Sequence, residues 1–518
     1  MEGGKGGRDF LRRLGSNQGP EAMGLLRTRS EIEGRSEYTA LRAEWDELEF
    51  DPDALGHGRM AERNDLVAKA LLGDRGIPIG YFEDSVIRYP RGASGLVYGP
   101  PGIGKDTTLI AHILADFGSA TGPCETTPSL FIFDVAGESW WMSAKYREQK
   151  QGRPPDRIAP FRNDGIRYNP IQPLIDRHAA GKPLGLLKYE IAKGFVPPAT
   201  NDHQGSWVRR KGINIVAELI HFDILQHGLY CTPGSIYDQL NGGAEALAKR
   251  FFAMQESGNA HLAEVARRHL FEIEHSPREL GFAVDEAAEY MSIYQKDSPL
   301  RAATAATDIR PADLKAAPRT VYFEIPGDML YVSRQYVAAV MNSFIEGIAM
   351  AEGNIRTLFL ANEFTQIGAI PSLRKALRLY RKYGVSFLFY AQSRAACEEI
   401  YGQDGRRDIE ENCEFIAILG TDDPGLIKDI STWSGVETVQ LRTQSLSGGA
   451  SPSVSNQQAF QSRPVLQAEN IRGLASDEML MKFHNMAPMI LAKRLHWKKV
   501  PHLRAALRDP SKMPGLVK

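Results

Sequence analysis

Along this chain, short unbroken apolar runs alternate with stretches of helical spacing. Six runs stand out: Ser94–Tyr98, Ser129–Phe133, Arg319–Ile325, Arg356–Ala361, Val385–Ala391 and Glu414–Leu419. A continuous apolar run is what a strand covered on both faces requires. The helical segments between several of them predict a doubly wound α/β domain with a mostly parallel sheet. Between about residues 172 and 316 the runs vanish. Gly212–Leu225, Ala244–Glu256 and Ala260–Glu274 show helical spacing instead, which predicts an inserted all-α domain. The expected organisation is a charged tail over 1–55, a first part of the sheet domain over 56–171, the all-α domain over 172–316 and a second part over 317–518. Within that second part, Thr443–Ser462 is rich in Ser, Gly and Gln and reads as a mobile surface loop.

Composition narrows the class. The chain has 518 residues, 43% hydrophobic and 24% charged, as expected of a globular protein with a large core. Lys plus Arg number 62 and Asp plus Glu 63, giving a net charge of −1. A uniformly basic surface is excluded, so any nucleic-acid contact must come from a local patch. Charge is uneven near the start. Residues 1–30 carry six basic and three acidic side chains, whereas Glu31–Asp53 carries nine acids against Arg35 and Arg42. Such asymmetry reads as a solvated tail or docking arm. The four cysteines, Cys124, Cys231, Cys397 and Cys413, have no paired spacing, which excludes a CxxC zinc site and fits a reducing compartment. No apolar stretch is long enough to span a bilayer, and the first residues lack the apolar core of a signal peptide, so a cytoplasmic location is expected. The twelve histidines form no HExxH pattern, and nothing near His221 and His227 completes a metal shell. Trp140-Trp141 reads as packing or an interface, and Trp207 as core.

The strongest chemical signal is Gly99-Pro100-Pro101-Gly102-Ile103-Gly104-Lys105. It follows the apolar strand Gly95–Tyr98 and precedes an amphipathic helix with Leu109, Ile110, Ile113, Leu114 and Phe117 on one face. This is the strand–loop–helix setting of a phosphate-binding loop. Glycines let the backbone curl so that several N–H groups face an anion, the helix start adds positive potential, and Lys105 neutralises the outer phosphates. ATP is the expected ligand, with Mg²⁺. The residue after the lysine, ordinarily a metal-ligating hydroxyl, is Asp106, followed by Thr107 and Thr108. A carboxylate can hold Mg²⁺ but repels phosphates without it.

A second half of the site is expected where an apolar strand ends in acids. Thr357-Leu358-Phe359-Leu360-Ala361-Asn362-Glu363 fits, with Asn362 standing where an Asp ordinarily serves the metal and Glu363 available as general base. Lys105 and Asn362 are 257 residues apart, far more than one crossover needs, which supports the inserted domain. Taken together, Asp106 becomes the expected metal ligand and Asn362 orients a coordinated water. The competing expectation is a site that binds nucleotide and hydrolyses it poorly.

These residues resemble the type IV secretion coupling proteins, the TraG/TraD-type ATPases of conjugation, over about residues 56–505. Gly56-His57-Gly58-Arg59-Met60-Ala61 and Leu72–Gly80 are similar to the segment before the loop. Phe133-Asp134-Val135-Ala136-Gly137-Glu138 resembles a D-x-K-G-E strand end, with Ala136 in place of the lysine, and Tyr168-Asn169-Pro170-Ile171 resembles the N-P-L signature. Asn362-Glu363-Phe364, Tyr380–Val385, Ala391-Gln392-Ser393, Glu399–Gly402, Thr421-Asp422-Asp423-Pro424 and Ser434-Gly435 follow in order. The resemblance implies a RecA-like P-loop motor domain interrupted by an all-α domain, assembling as a homo-hexameric ring. Such proteins link a relaxosome or relaxase, or effector proteins, to the secretion channel and pump with ATP. By position, Lys105 binds phosphate, Glu363 is catalytic, Gln392 senses the γ-phosphate, and Arg381 is an arginine finger for the neighbouring subunit. The N-terminal membrane anchor usual in the family is not found in this sequence, so recruitment to the cytoplasmic face of the inner membrane through a separate protein or the N-terminal tail is expected.

The residues of Pro371–Gly384 agree in part with that assignment. Pro and Gly punctuate a helix whose stripe Leu373, Ala376, Leu377 and Tyr380 is apolar and whose remaining face is basic. Three functions compete: a coupling ATPase that moves single-stranded DNA with attached protein, a nucleotide-bound receptor or scaffold with weak hydrolysis, and a general double-stranded DNA translocase.

Overall fold

The computed structural model describes residues 54–73, 76–89, 92–116, 128–199, 205–447 and 453–514. The tail expected over 1–55 lies almost wholly outside them, as do Phe117 and Cys124. The strands in chain order are β1 (Ile77–Phe82), β2 (Ser85–Tyr89), β3 (Gly95–Tyr98), β4 (Ser129–Val135), β5 (Asp156–Ile158), β6 (Thr320–Ile325), β7 (Thr357–Ala361), β8 (Val385–Ala391), β9 (Phe415–Ile418), β10 (Val436–Ser447), β11 (Ser453–Pro464), β12 (Glu478–Phe483) and β13 (Ile490–Lys493). Eleven of them form one sheet of order β2-β1-β13-β12-β9-β3-β8-β7-β4-β6-β5. From β9 to β5 every pairing is parallel. The other four strands add an antiparallel wing. Mixed α/β with a largely parallel sheet is thus the fold.

Successive residues of the central strands face opposite sides, and each side feeds its own core. Leu96, Phe131, Phe133, Phe323 and Phe359 enter one cluster, whereas Val97, Leu130, Ile132, Tyr322, Leu358 and Leu360 enter the other. This two-sided burial explains the unbroken apolar runs. Between Gln172 and Ala316 the described elements are all helical, among them Ser206–His227, Gly243–Gln255 and Ala260–His275. Their buried residues Val216, Leu219, Phe222 and Phe251 belong to the same cluster as Phe131 and Phe133. The helical block therefore shares a core with one face of the sheet.

Two expectations are corrected. Trp207 is 40% exposed rather than core. In the stretch Thr443–Ser462, read as a loop, the described residues 443–447 and 453–462 belong to an antiparallel ribbon of β10 and β11 paired from Val436↔Pro464 to Ser447↔Ser453, while 448–452 lie outside the described residues. Backbone hydrogen bonding between the two strands organises that ribbon, so no apolar run announces it. At its base the Gly58 amide donates to the Val436 carbonyl at 2.6 Å. A Cβ on Gly56 or Gly58 would come within 2.7 Å of that same carbonyl oxygen, which accounts for the Gly-His-Gly sequence.

Candidate functional site

The glycine loop begins where β3 ends. The Gly99 amide donates to the Ala391 carbonyl at 3.1 Å, fixing the loop's start to β8. Gly102 (φ 75°) and Gly104 (φ 89°) both lie in the left-handed region, which other residues enter at a cost. Among the described residues their amides donate to no protein acceptor, leaving them for an external anion. Lys105 then opens a π-helical turn, Asp106–Ile110, that continues as the helix Ala111–Asp116. The Thr107 and Thr108 hydroxyls both turn back onto the Gly104 carbonyl, at 3.2 and 2.7 Å. Leu109, Ile110, Ile113 and Leu114 are buried beneath the helix.

Lys105 is only 3% exposed, and its Nζ donates to Glu363 Oε1 at 2.8 Å and to the Gly99 carbonyl at 3.4 Å. The sheet order explains how residues so distant in sequence meet: β3, β8 and β7 are neighbours, and all end on the same edge. Glu363 follows β7 in a left-handed conformation, φ 53°, a strain of about 1–3 kcal/mol that clusters at working sites. Its Oε2 accepts Gln392 Nε2 at 2.7 Å, from the end of β8, and Gln366 Nε2 at 3.3 Å. The carboxylate thus faces one cation and two amide donors.

Asp106 and Asn362 meet beside this pair, with Asn362 Nδ2 donating to Asp106 Oδ1 at 2.7 Å. Burial pushes the Asp106 carboxyl above its ordinary range, against the pull of Lys105 and of the Asn362 hydrogen bond. The Asn362 Oδ1 is buried without a hydrogen-bond partner among the described residues. An orphaned amide oxygen next to a desolvated carboxylate suits a hard cation such as Mg²⁺, which takes oxygen ligands. Glu138, half-buried, is also raised, first by burial and then by the charge of Asp106. Asp134 accepts the Ser139 and Trp140 amides at 3.0 and 2.8 Å, and burial pushes it up to about 7.

Lys105, Asp106, Asn362, Glu363 and Gln392 are therefore assembled at one edge. Arg381 is not. It precedes β8, at the other end of a strand that rises about 3.3 Å per residue, so roughly 20 Å separates it from Gln392. Its side chain is exposed. The neighbouring basic residues are engaged: Arg374 and Arg378 on Asp408, Lys375 on Glu190 and Glu346. Trp140 packs edge-on against Tyr322 and under Arg157, and the Trp141 indole donates to the Asp509 carbonyl. His221 lies against Lys188 and Glu218, and His227 reaches Asp223 at 3.9 Å. Sequence reading missed Gln366 and Arg494. Arg494 donates to the Ile103 carbonyl from a strand end 391 positions away, with no local motif to mark it.

Comparison with known proteins places the chain's fold and part of its sequence beside known coupling proteins. Residues 356–476, which carry Asn362, Glu363, Arg381 and Gln392, match the family described as the TraM recognition site of TraD and TraG. The type IV secretion system-coupling protein VirD4 of Bartonella henselae is 25% identical over 206 residues, 39% of this chain and 32% of that protein. The conjugal transfer protein TraG of Agrobacterium fabrum is 27% identical over 174 residues, 33% and 26% of the two chains. The matched region thus spans about a third of these relatives' length or less. In fold, the plasmid coupling protein TrwB, solved with a non-hydrolysable ATP analogue, superposes with a TM-score of 0.61 at 14% identity, covering 86% of this chain and 96% of its own. The same protein has been solved with ADP and Mg²⁺. Among the described residues, no helix is long and apolar enough to cross a membrane.

Proposed function

Proceeding from a chain related to the type IV secretion coupling proteins, we propose that it is an ATP-driven coupling ATPase. It recruits DNA–relaxase or protein substrates and feeds them to a type IV channel. The observation that carries this reading is the convergence of Lys105, Glu363 and Gln392 on the edge where the glycine loop leaves its amides free. A triphosphate in the loop competes for Lys105 and so releases Glu363 from its ion pair. The freed carboxylate then accepts a proton from the attacking water. Gln392, bonded to Glu363 and placed beside the loop, links phosphate occupancy to the orientation of that base. Asp106 and Asn362 are the residues that hold Mg²⁺, whose charge offsets that of the phosphates when bound. Arg381, remote from its own site, serves the nucleotide of a neighbouring subunit in a ring, as an arginine finger does. The homo-hexamer, the single-stranded DNA cargo and recruitment to the cytoplasmic face of the inner membrane through a partner belong to the same proposal.

The test is steady-state ATP hydrolysis by the purified chain with and without single-stranded DNA, beside K105A. Turnover that single-stranded DNA stimulates and K105A abolishes is expected. A second reading, a nucleotide-bound receptor with little hydrolysis, draws on the Asp106–Asn362 hydrogen bond standing where a hydroxyl and a carboxylate ordinarily serve the metal. Tight ATP binding without turnover, together with retention of secreted proteins, would select it.

A further inference from the structure

Arg494 is 1% exposed and heads the described side chains that are both fully buried and large. It follows β13 and reaches the phosphate loop from behind. Nη1 donates to the Ile103 carbonyl at 2.7 Å and lies 3.5 Å from Thr108 Oγ1, and Nε donates to the Glu478 carbonyl at 3.1 Å. Nη2 is buried without a hydrogen-bond partner among the described residues. Among the described residues no carboxylate lies within ion-pair distance; the nearby Asp477 and Glu478 carboxylates are taken by Lys493. Burial lowers the guanidinium from its ordinary value, with Asp477 only partly opposing. An arginine stays charged at any working pH, so this is a desolvated cation with no ion-paired carboxylate among the described residues.

Its position says what completes it. A trans peptide points its carbonyl and its N–H in opposite directions. Holding the Ile103 carbonyl toward Arg494 therefore turns the Gly104 amide away from the guanidinium. That amide has no protein acceptor among the described residues, and Gly104 sits at φ 89°. A charged donor on the carbonyl also polarises the same peptide and strengthens its N–H. We propose that Arg494 is a positioning residue for the polyphosphate of the bound nucleotide, fixing the Ile103–Gly104 peptide with its amide toward the anion and placing a positive charge behind the loop. This rests on the loop being the nucleotide site. Arg494 touches no reacting atom; it acts through the peptide it holds, and ties the loop to the antiparallel wing of β12 and β13.

The test uses the full chain as wild type, R494K, R494M and K105A, with Mg²⁺ throughout. Affinities for ATP, ADP, inorganic tripolyphosphate and adenosine are measured by calorimetry, and melting without ligand reports folding. The expected result is a loss of about tenfold or more in R494M for ATP, ADP and tripolyphosphate alike, the scale of one charged hydrogen bond, with adenosine unchanged. R494K, which keeps the charge but not the fork, falls between R494M and wild type. A folded R494M that binds tripolyphosphate as wild type does overturns the proposal, as does an equal loss for adenosine and ATP, which marks general disruption. If R494M fails to fold, R494K decides: tripolyphosphate affinity equal to wild type overturns it. Failure of wild type itself to bind ATP and tripolyphosphate sinks the nucleotide-site reading first, and the K105A control separates that outcome.

Discussion

At the scale of single residues, the site is balanced by pairing. Lys105 and Glu363 neutralise each other in a largely buried pair, and Gln392 and Gln366 satisfy the outer carboxylate oxygen. On the proposed reading, a carboxylate held this way would act as general base only once an anion takes its cation. Replacing Glu363 by Gln preserves size while removing the proton acceptor, and turns one of the two accepting oxygens into a donor. E363Q is expected to hold ATP close to wild-type affinity and to lose about 10²–10⁴ in turnover, compared by binding titration and single-turnover hydrolysis. Asp106 gives a pH signature. Its carboxyl is raised by burial, so protonation begins at higher pH than for an exposed aspartate and removes the anion a metal needs. Mg²⁺-dependent ATP affinity should weaken on acidification, starting at a higher pH than an exposed aspartate sets, and D106N should flatten that dependence. A wild-type profile parallel to that of D106N would remove Asp106 from the metal's ligands.

At the scale of elements, the parallel strands are held by aromatic packing and by capped helices. Phe131 in β4 is fully buried, with ring centroids 4.6 Å from Phe344 and 5.1 Å from Phe359. Truncating such a side chain costs about 3–5 kcal/mol, which denaturant unfolding of F131A should recover. Asp134 ends the apolar part of the same strand and caps the helix Glu138–Gln151. Its folded value of about 7 lies above the unfolded carboxylate value near 3.8, so the native state binds the extra proton between them. Stability contributed there is full at the acid end and falls as pH rises toward 7. Relative to D134N, wild type should therefore lose melting temperature between about pH 4 and 7 and change little above that. The central strands were legible because burial on both faces demands unbroken apolar runs. The antiparallel wing was not: β1 carries Pro78 and Gly80, and β12 begins with Glu478 and places Lys482 before Phe483. The ribbon of β10 and β11 escaped for a related reason, being specified by strand pairing rather than by a core face.

At the scale of the whole molecule, a polar network ties the helical block to the segment carrying Arg381. Lys375 Nζ contacts Glu190 of the block at 3.0 Å and Glu346 at 2.6 Å. Tyr380, one residue before Arg381, donates to Glu346 at 2.8 Å, and the Asn342 amide bridges the Glu190 carbonyl and the Ser372 amide. Glu346 is buried whereas Glu190 is partly exposed. K375M, which strands the Glu346 carboxylate, should therefore cost more stability than E190Q. We expect about 1–3 kcal/mol against less than about 1 in denaturant unfolding, after allowing for the partial exposure of Lys375. Equal costs would show that Glu346 is adequately held by Tyr380 and Ser372 alone.

The amino-acid order by itself determined the glycine loop, the acid-ended strand and the helical insertion, because those depend on local backbone freedom and on periodicity. It could name Lys105 and Glu363 as partners only by analogy. Tertiary structure decided that they meet, since adjacency of β3, β8 and β7 is a property of sheet order and not of spacing. It also decided the roles of Asp106 and Asn362 toward each other and exposed Arg494, whose position depends on an antiparallel wing returning to the loop after 391 residues. Local signals record what a segment can become; only packing fixes which distant charges share a low-dielectric site.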